Sequence, residues 1–251
     1  MRVISDIEYA AGLKMDLYLP DADGFDLIVW FHGGGLENGC RADGAGLGAS
    51  FAAQGYGFAS ADYRMYPAAR YPDYLLDGAQ AVAFVQRQAK AYGGSGHVIV
   101  SGQSAGAYMT MLLALNPALL RNAGADRAAV AAFVSDSAQQ TTHYNVLRER
   151  GEDSRAERID PAAPLWYVGA ERLPAPMLLI AYENDIPCRP EQNALLCRSV
   201  RRFEPDAPIE LVLLPGGHCA GSSHPAENGE YPFVTETLRF LQRTIEQETE
   251  E

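Results

Sequence analysis

Gly102-Gln103-Ser104-Ala105-Gly106 is the stretch that decides the fold. It follows the apolar run His97-Val98-Ile99-Val100-Ser101 and leads into a helical segment carrying Tyr108, Met109, Met111, Leu112 and Leu113. A β-branched run that gives way at once to a helix requires a sharp turn, and small residues beside Ser104 keep side chains from colliding with neighbouring backbone. Ser104 is then left exposed at a helix N-terminus. A plain serine N-cap with incidental glycines is the alternative, but the strand-turn-helix setting argues against it.

Working outward, short apolar or β-branched runs at about 13–19, 26–32, 57–62, 97–102, 129–135, 176–182 and 209–214 read as strands, most of them continuous enough to be buried on both faces. Helical stretches lie between them, at about 73–91, 104–115, 190–203 and 231–247. This alternation predicts an α/β protein with a mostly parallel sheet covered by helices on both sides. The first segments are too close together for crossovers, so the sheet begins antiparallel. No repeat or linker divides the chain, so residues 1–251 read as one domain. The stretch 138–170 is polar and irregular and reads as a cap-like or substrate-lining insertion. Glu246 to Glu251 reads as a solvated acidic tail.

The 251 residues are 47% hydrophobic and 21% charged, enough for one sizeable core and unlike collagenous, disordered or disulfide-scaffold chains. A net charge of −12 repels nucleic-acid backbones and anionic membrane surfaces, so neither is expected as a partner. Runs such as Leu27 to Phe31 and Met177 to Ala181 fall well short of the roughly 20 residues that cross a bilayer. Met1-Arg2-Val3-Ile4-Ser5-Asp6 lacks the apolar segment of a secretory leader, so a cytoplasmic location is expected, with a trimmed secreted form as the alternative. The four cysteines, at 40, 188, 197 and 219, have no C-x-x-C spacing and read as free thiols, with a Cys188–Cys197 bridge as the alternative. Cys40 and Cys219 fall near motif residues, which raises the idea that thiol modification slows turnover.

The chemistry begins with a second signal, His32-Gly33-Gly34-Gly35, directly after the run Leu27-Ile28-Val29-Trp30-Phe31. Consecutive glycines let backbone N–H groups approach a developing oxyanion without side-chain obstruction. A serine hydroxyl is a weak nucleophile, so it needs a neutral imidazole to take its proton and an acid to orient that imidazole. His218, in Pro215-Gly216-Gly217-His218, lies just past the last strand-like run and is the candidate base, with His224 its rival. His97 and His143 read as surface or packing residues, and His32 as a residue that fixes the glycine loop. Asp185 follows Met177-Leu178-Leu179-Ile180-Ala181 within Glu183-Asn184-Asp185 and is the candidate acid; Glu183 and Asp136 compete with it. Each candidate falls in a turn after a different strand, where parallel packing gathers distant residues.

Together these motifs resemble the α/β-hydrolase superfamily, and within it the hormone-sensitive-lipase-like and small acetyl or feruloyl esterase groups. The resemblance runs from about 26 to 242 and also includes Asp62-Tyr63-Arg64, Pro67, Tyr71-Pro72 and Asp77. It implies an α/β-hydrolase fold with a central sheet of about eight strands and a reduced cap, since only about 25 residues precede the first core strand and they read as strands. It also implies that Ser104 is the nucleophile, His218 the base, Asp185 its orienter, and the N–H groups of Gly34, Gly35 and Ala105 the oxyanion donors. Asp62 and Arg64 look like the family's structural pair. The expected activity is hydrolysis of short-chain carboxylic esters through an acyl-enzyme, without metal or organic cofactor, on a small-molecule ester, by a monomer or homodimer. An arylformamidase and a carbohydrate acetyl or feruloyl esterase are the alternatives, and a non-catalytic binder is a remote one. Because the imidazole must be neutral to accept a proton, turnover is expected to rise with pH through the histidine range.

Overall fold

Strands form where the apolar runs predict them, because residues alternating along each run find a hydrophobic partner on both sides of the sheet. The computed structural model describes residues 1–249. Its strands are β1 (Arg2–Ala10), β2 (Leu13–Leu19), β3 (Phe25–Phe31), β4 (Gly57–Ala61), β5 (Gly94–Gln103), β6 (Val130–Asp136), β7 (Met177–Asn184) and β8 (Ile209–Gly217). They make one sheet in the order β1-β2-β4-β3-β5-β6-β7-β8. The β1–β2 and β2–β4 pairs are antiparallel, and from β4 to β8 every pair is parallel. β1 falls in the segment before the first core strand, which reads as strands, but no apolar run marks its place. It is paired on one side only and mostly exposed, so polar Asp6 and Glu8 sit in it.

The helices are α1 (Ala45–Ala53), α2 (Asp73–Gln88), α3 (Ala105–Leu115), α4 (Pro117–Asn122), α5 (Tyr144–Glu149), α6 (Arg189–Phe203), α7 (Ala220–Ser223) and α8 (Pro232–Thr249). Along β3, Leu27, Val29 and Phe31 face the core beneath α2 and α3. Ile28 and Trp30 face the other way, toward Leu47 and Phe51 of α1 and Phe233 and Leu241 of α8. A two-residue side-chain period thus feeds two cores. α1 is absent from the expected helices because Gly46 and Gly48 make its sequence look like a loop. Those glycines let the helix lie close: a methyl at Gly48 would come within 2.5 Å of the Tyr18 ring. Glu250 and Glu251, the end of the expected acidic tail, lie outside the described residues. Among the described residues no helix is long and apolar enough to cross a membrane.

The polar stretch after β6 is not polar because it is exposed. Gln139, Gln140, Thr141, Thr142, His143 and Asn145 are all buried, and they bond inward. Gln140 N–H donates to Gln192 Oε1 and Gln140 Nε2 to Asn193 Oδ1, at 2.9 and 2.8 Å. Thr141 and Gln192 both donate to Glu157. Buried polar groups need such partners, so this segment is stitched to the N-terminal half of α6.

Asp62 and Arg64 do not pair with each other, which corrects the expectation drawn from the resemblance. Arg64 grips the buried Asp77 of α2 through Nε and Nη2, while Asp62 is taken by Arg41, which a 3-10 turn (Arg41–Gly44) delivers to the end of β4. Arg41 reaches three carboxylates: Nε to Asp16 at 3.0 Å, Nη1 to Asp62 at 2.6 Å and Nη2 to Asp6 at 2.7 Å. Asp6 is largely exposed and contributes little, but Asp16 and Asp62 are shielded enough to suffer when left without a counter-charge. Arg41→Met is expected to cost about 1–3 kcal/mol, measured as a lower urea midpoint with unchanged slope.

Candidate active site

β5 ends at Gln103 and α3 starts at Ala105, leaving Ser104 as a one-residue turn at φ 54°, ψ −111°. Few non-glycine residues accept that conformation, which costs of order 1–3 kcal/mol and persists only where surrounding structure enforces it. Two glycines provide the enforcement. A methyl at Gly102 would lie 2.3 Å from the backbone carbon of Gly106, and one at Gly106 would lie 2.0 Å from the carbonyl oxygen of Phe31. Ser104 N–H donates to the Asp136 carbonyl at 2.8 Å, and its own carbonyl accepts from Tyr108 N–H at 2.9 Å.

The parallel register brings the other candidates to the same place. Asn184 of β7 pairs with Gly217 of β8, so the next residues, Asp185 and His218, emerge side by side. His218 Nδ1 lies 2.5 Å from Asp185 Oδ1, and His218 Nε2 lies 2.7 Å from Ser104 Oγ. With Nδ1 protonated and donating to the carboxylate, Nε2 is the acceptor for the serine proton. The Asp185 side chain is shielded from solvent. Burial pushes its carboxyl up, but the hydrogen bond and charge of His218, with donors from Ser137 and Ile186 N–H, outweigh it and hold the group below its ordinary value. Asp185 is therefore a carboxylate at neutral pH.

The glycine loop lies beside the turn because Phe31 of β3 pairs with Gly102 of β5. A methyl at Gly33 would touch Ser104 Cβ at 3.4 Å. Gly34 and Gly35 have φ of 100° and 67°, and a methyl at Gly34 would lie 2.0 Å from the Asn38 carbonyl oxygen. The N–H groups of Gly34, Gly35 and Ala105 have no internal hydrogen-bond partner among the described residues. His32 holds the loop: its ring stacks on Tyr63 at 4.3 Å, its Nδ1 lies 2.7 Å from the Gly33 carbonyl, and burial keeps it neutral by lowering its pKa. From α5, Asn145 Nδ2 donates to the Gly35 carbonyl at 2.8 Å, and the Tyr144 hydroxyl packs where a side chain at Gly35 would stand.

The rivals are placed elsewhere. Glu183, His97 and His224 are exposed, and His143 is buried between Tyr108 and Tyr144 with its Nδ1 accepting from Asn145 N–H. All four cysteines are free. The Cys219 thiol is buried, and burial pushes its pKa well above the ordinary value, which disfavours the nucleophilic thiolate despite its position beside His218. Asn145, Tyr144, Ser137 and Arg189 escaped sequence reasoning, since single polar residues at the starts of helices or just past a strand leave no periodic or motif signal.

Residues 15–199 match the family model BD-FAE. The chain belongs to the BD-FAE family. A probable isoprenylcysteine alpha-carbonyl methylesterase of Arabidopsis thaliana is 32% identical to this BD-FAE chain over 114 residues, 44% of the chain and 27% of the relative. Esterase LipC of Mycobacterium tuberculosis is 34% identical over 91 residues, 36% of the chain and 23% of the relative. The matched stretch is thus about a quarter of the length of these curated relatives. Among solved structures, the propionate-bound esterase of Thermogutta terrifontis superposes with a TM-score of 0.76 at 22% identity, over 96% of this chain and 93% of that one. That esterase has also been solved phosphorylated by paraoxon. Inhibited esterase B of Lactobacillus rhamnosis superposes with a TM-score of 0.81 at 18% identity, over 99% and 89% of the two chains. The fold is that of the α/β-hydrolases.

Asp136 lies behind the site, wholly buried, taking a hydrogen bond from the Ser222 hydroxyl. Burial pushes its carboxyl up to about 7, against the pull of Ser222, Tyr182 and His218. Because the folded state holds this proton more tightly than the unfolded chain, its stabilising contribution is complete below about pH 4 and is lost as pH rises through about 7. Asp136→Asn mimics the protonated form. Urea unfolding between about pH 5 and 8 should show wild-type stability falling relative to the variant, whose profile is flatter; parallel profiles would remove Asp136 as their cause.

Proposed function

We propose that the protein is a serine hydrolase of short-chain carboxylic esters, working through an acyl-enzyme. The observation that carries this reading is the unbroken hydrogen-bond chain from Ser104 Oγ to His218 to Asp185, seated on a strained turn beside free backbone N–H groups. In this reading Ser104 Oγ attacks the ester carbonyl as its proton passes to His218 Nε2. Asp185 keeps the imidazole in the productive tautomer and stabilises it when charged. The carbonyl oxygen, now anionic, is received by the N–H groups of Gly34, Gly35 and Ala105. His218 then gives its proton to the departing alcohol, and a water activated by the same imidazole releases the acid and restores Ser104.

Membership of the BD-FAE family and the esterase names of the relatives support the ester as substrate. The propionate in the Thermogutta enzyme and its reaction with paraoxon support a short acyl group and a phosphorylatable serine. The deciding experiment is hydrolysis of p-nitrophenyl acetate, butyrate, octanoate and palmitate by wild type and Ser104→Ala. Turnover should be highest on the two short esters and at least about 10³-fold lower in the variant. Paraoxon should inactivate the wild type with one phosphoryl group on Ser104, seen by mass spectrometry. Undiminished turnover in Ser104→Ala would overturn the assignment, and turnover on N-formyl aromatic amines alone would replace the ester with a formamide.

A further inference from the structure

Ser137 is the first residue after β6, is fully buried, and has φ 59° in a region that non-glycine residues seldom occupy. Its hydroxyl donates to Asp185 Oδ2 at 2.8 Å and accepts from Cys219 N–H at 3.2 Å. Its backbone is fixed as well: the N–H donates to the Ile180 carbonyl at 2.9 Å, and the carbonyl accepts from Arg189 Nη1 at 2.7 Å. Arg189 is itself buried and forms no salt bridge with a carboxylate among the described residues, so its charge is spent on carbonyl groups around this turn. One hydroxyl therefore joins the turns after β6, β7 and β8, touching the acid of one and the residue next to the histidine of another.

We infer that Ser137 is a positioning residue whose hydroxyl pins the second oxygen of Asp185 and so keeps the carboxylate in the plane that His218 needs. This rests on the reading of Ser104, His218 and Asp185 as the working triad. A carboxylate held only through Oδ1 can turn about its last side-chain bond. His218 Nδ1 and Ile186 N–H both bond that same oxygen, so Ser137 alone among these donors restrains Oδ2. Without it the carboxylate swings, the imidazole loses its fixed direction, and misplacement of this kind costs up to about 10²-fold in rate. The Cys219 contact adds a second restraint, holding the histidine turn to the same oxygen.

Two variants separate the hydroxyl from the unusual backbone. Ser137→Ala removes the hydroxyl and keeps the disfavoured φ, whereas Ser137→Gly removes it and relieves the backbone, since glycine accepts φ near 60° freely. With p-nitrophenyl acetate, kcat should fall about 10- to 100-fold in both variants, with KM within about 2-fold of wild type. The Gly variant should be more stable to urea than the Ala variant, since both lose the hydroxyl and only glycine relieves the backbone, and its full complement of sites should still be counted by stoichiometric labelling with a fluorophosphonate. A Ser137→Gly protein with wild-type kcat overturns the proposal, and so does a loss of kcat confined to Ser137→Ala, which would make the residue a backbone element. If the wild type turns over neither esters nor N-formyl aromatic amines and takes up no fluorophosphonate, the triad reading fails and this proposal falls with it; if it turns over only the amides, the same comparison of variants is read on them.

Discussion

The approach of Gly106 to the carbonyl of Phe31 is the contact on which the site depends. The N-terminus of α3 can sit against the end of β3 only because neither Gly106 nor Gly102 carries a side chain, and this forces Ser104 into a conformation that it would not adopt alone. The same approach places the glycine loop, which leaves β3 one residue later, directly beside the serine. Strain at Ser104 is therefore not a local accident; it is held by the packing of two neighbouring strands and the first turn of a helix.

The parallel half of the sheet supplies the rest. β5 and β6 end level, Gln103 beside Asp136, and β7 and β8 end level, Asn184 beside Gly217, with β7 running on past Ile180, the partner of Asp136, so the residues that follow these strands meet at one edge. Side chains scattered over more than a hundred positions then need only short reaches. The turns themselves carry backbone oddities: Ser104, Ser137, Cys188 and Cys219 all have positive φ. Such turns are what tight exits from strands demand when the next residue must face its neighbour rather than the solvent.

Polarity at the site is arranged in layers of different depth. The serine and histidine stay partly open, Asp185 is shielded and kept charged by its donors, and Asp136 behind them is so deeply buried that its charge is disfavoured near neutrality. The buried polar segment after β6 contributes to both halves of the site. Its Asn145 anchors the glycine loop, and its Ser137 reaches the acid. A stretch that reads as an irregular insertion is thus a brace between the two.

Most of the sheet was legible in sequence because its strands are buried on both faces and so remain apolar throughout. β1, which no apolar run marks, is an exposed edge; of the helices with no counterpart among the expected ones, α1 hides behind glycines needed for close packing, and α4, α5 and α7 are too short to show a helical period. Ser104, Asp185 and His218 were legible for a related reason: each follows an apolar run, and the order of the runs is enough to say that their ends converge. By itself the sequence determined the strand-helix alternation, the glycines around the serine and the three turns that bear polar side chains, all of which are local patterns. Only the tertiary structure decided that Arg41 takes Asp62, that Arg64 takes Asp77, and that Ser137 and Asn145 hold the acid and the glycine loop. Those choices depend on which polar groups meet after distant segments pack, and a hydrogen bond or ion pair between side chains far apart in the chain leaves no periodicity in the sequence to read.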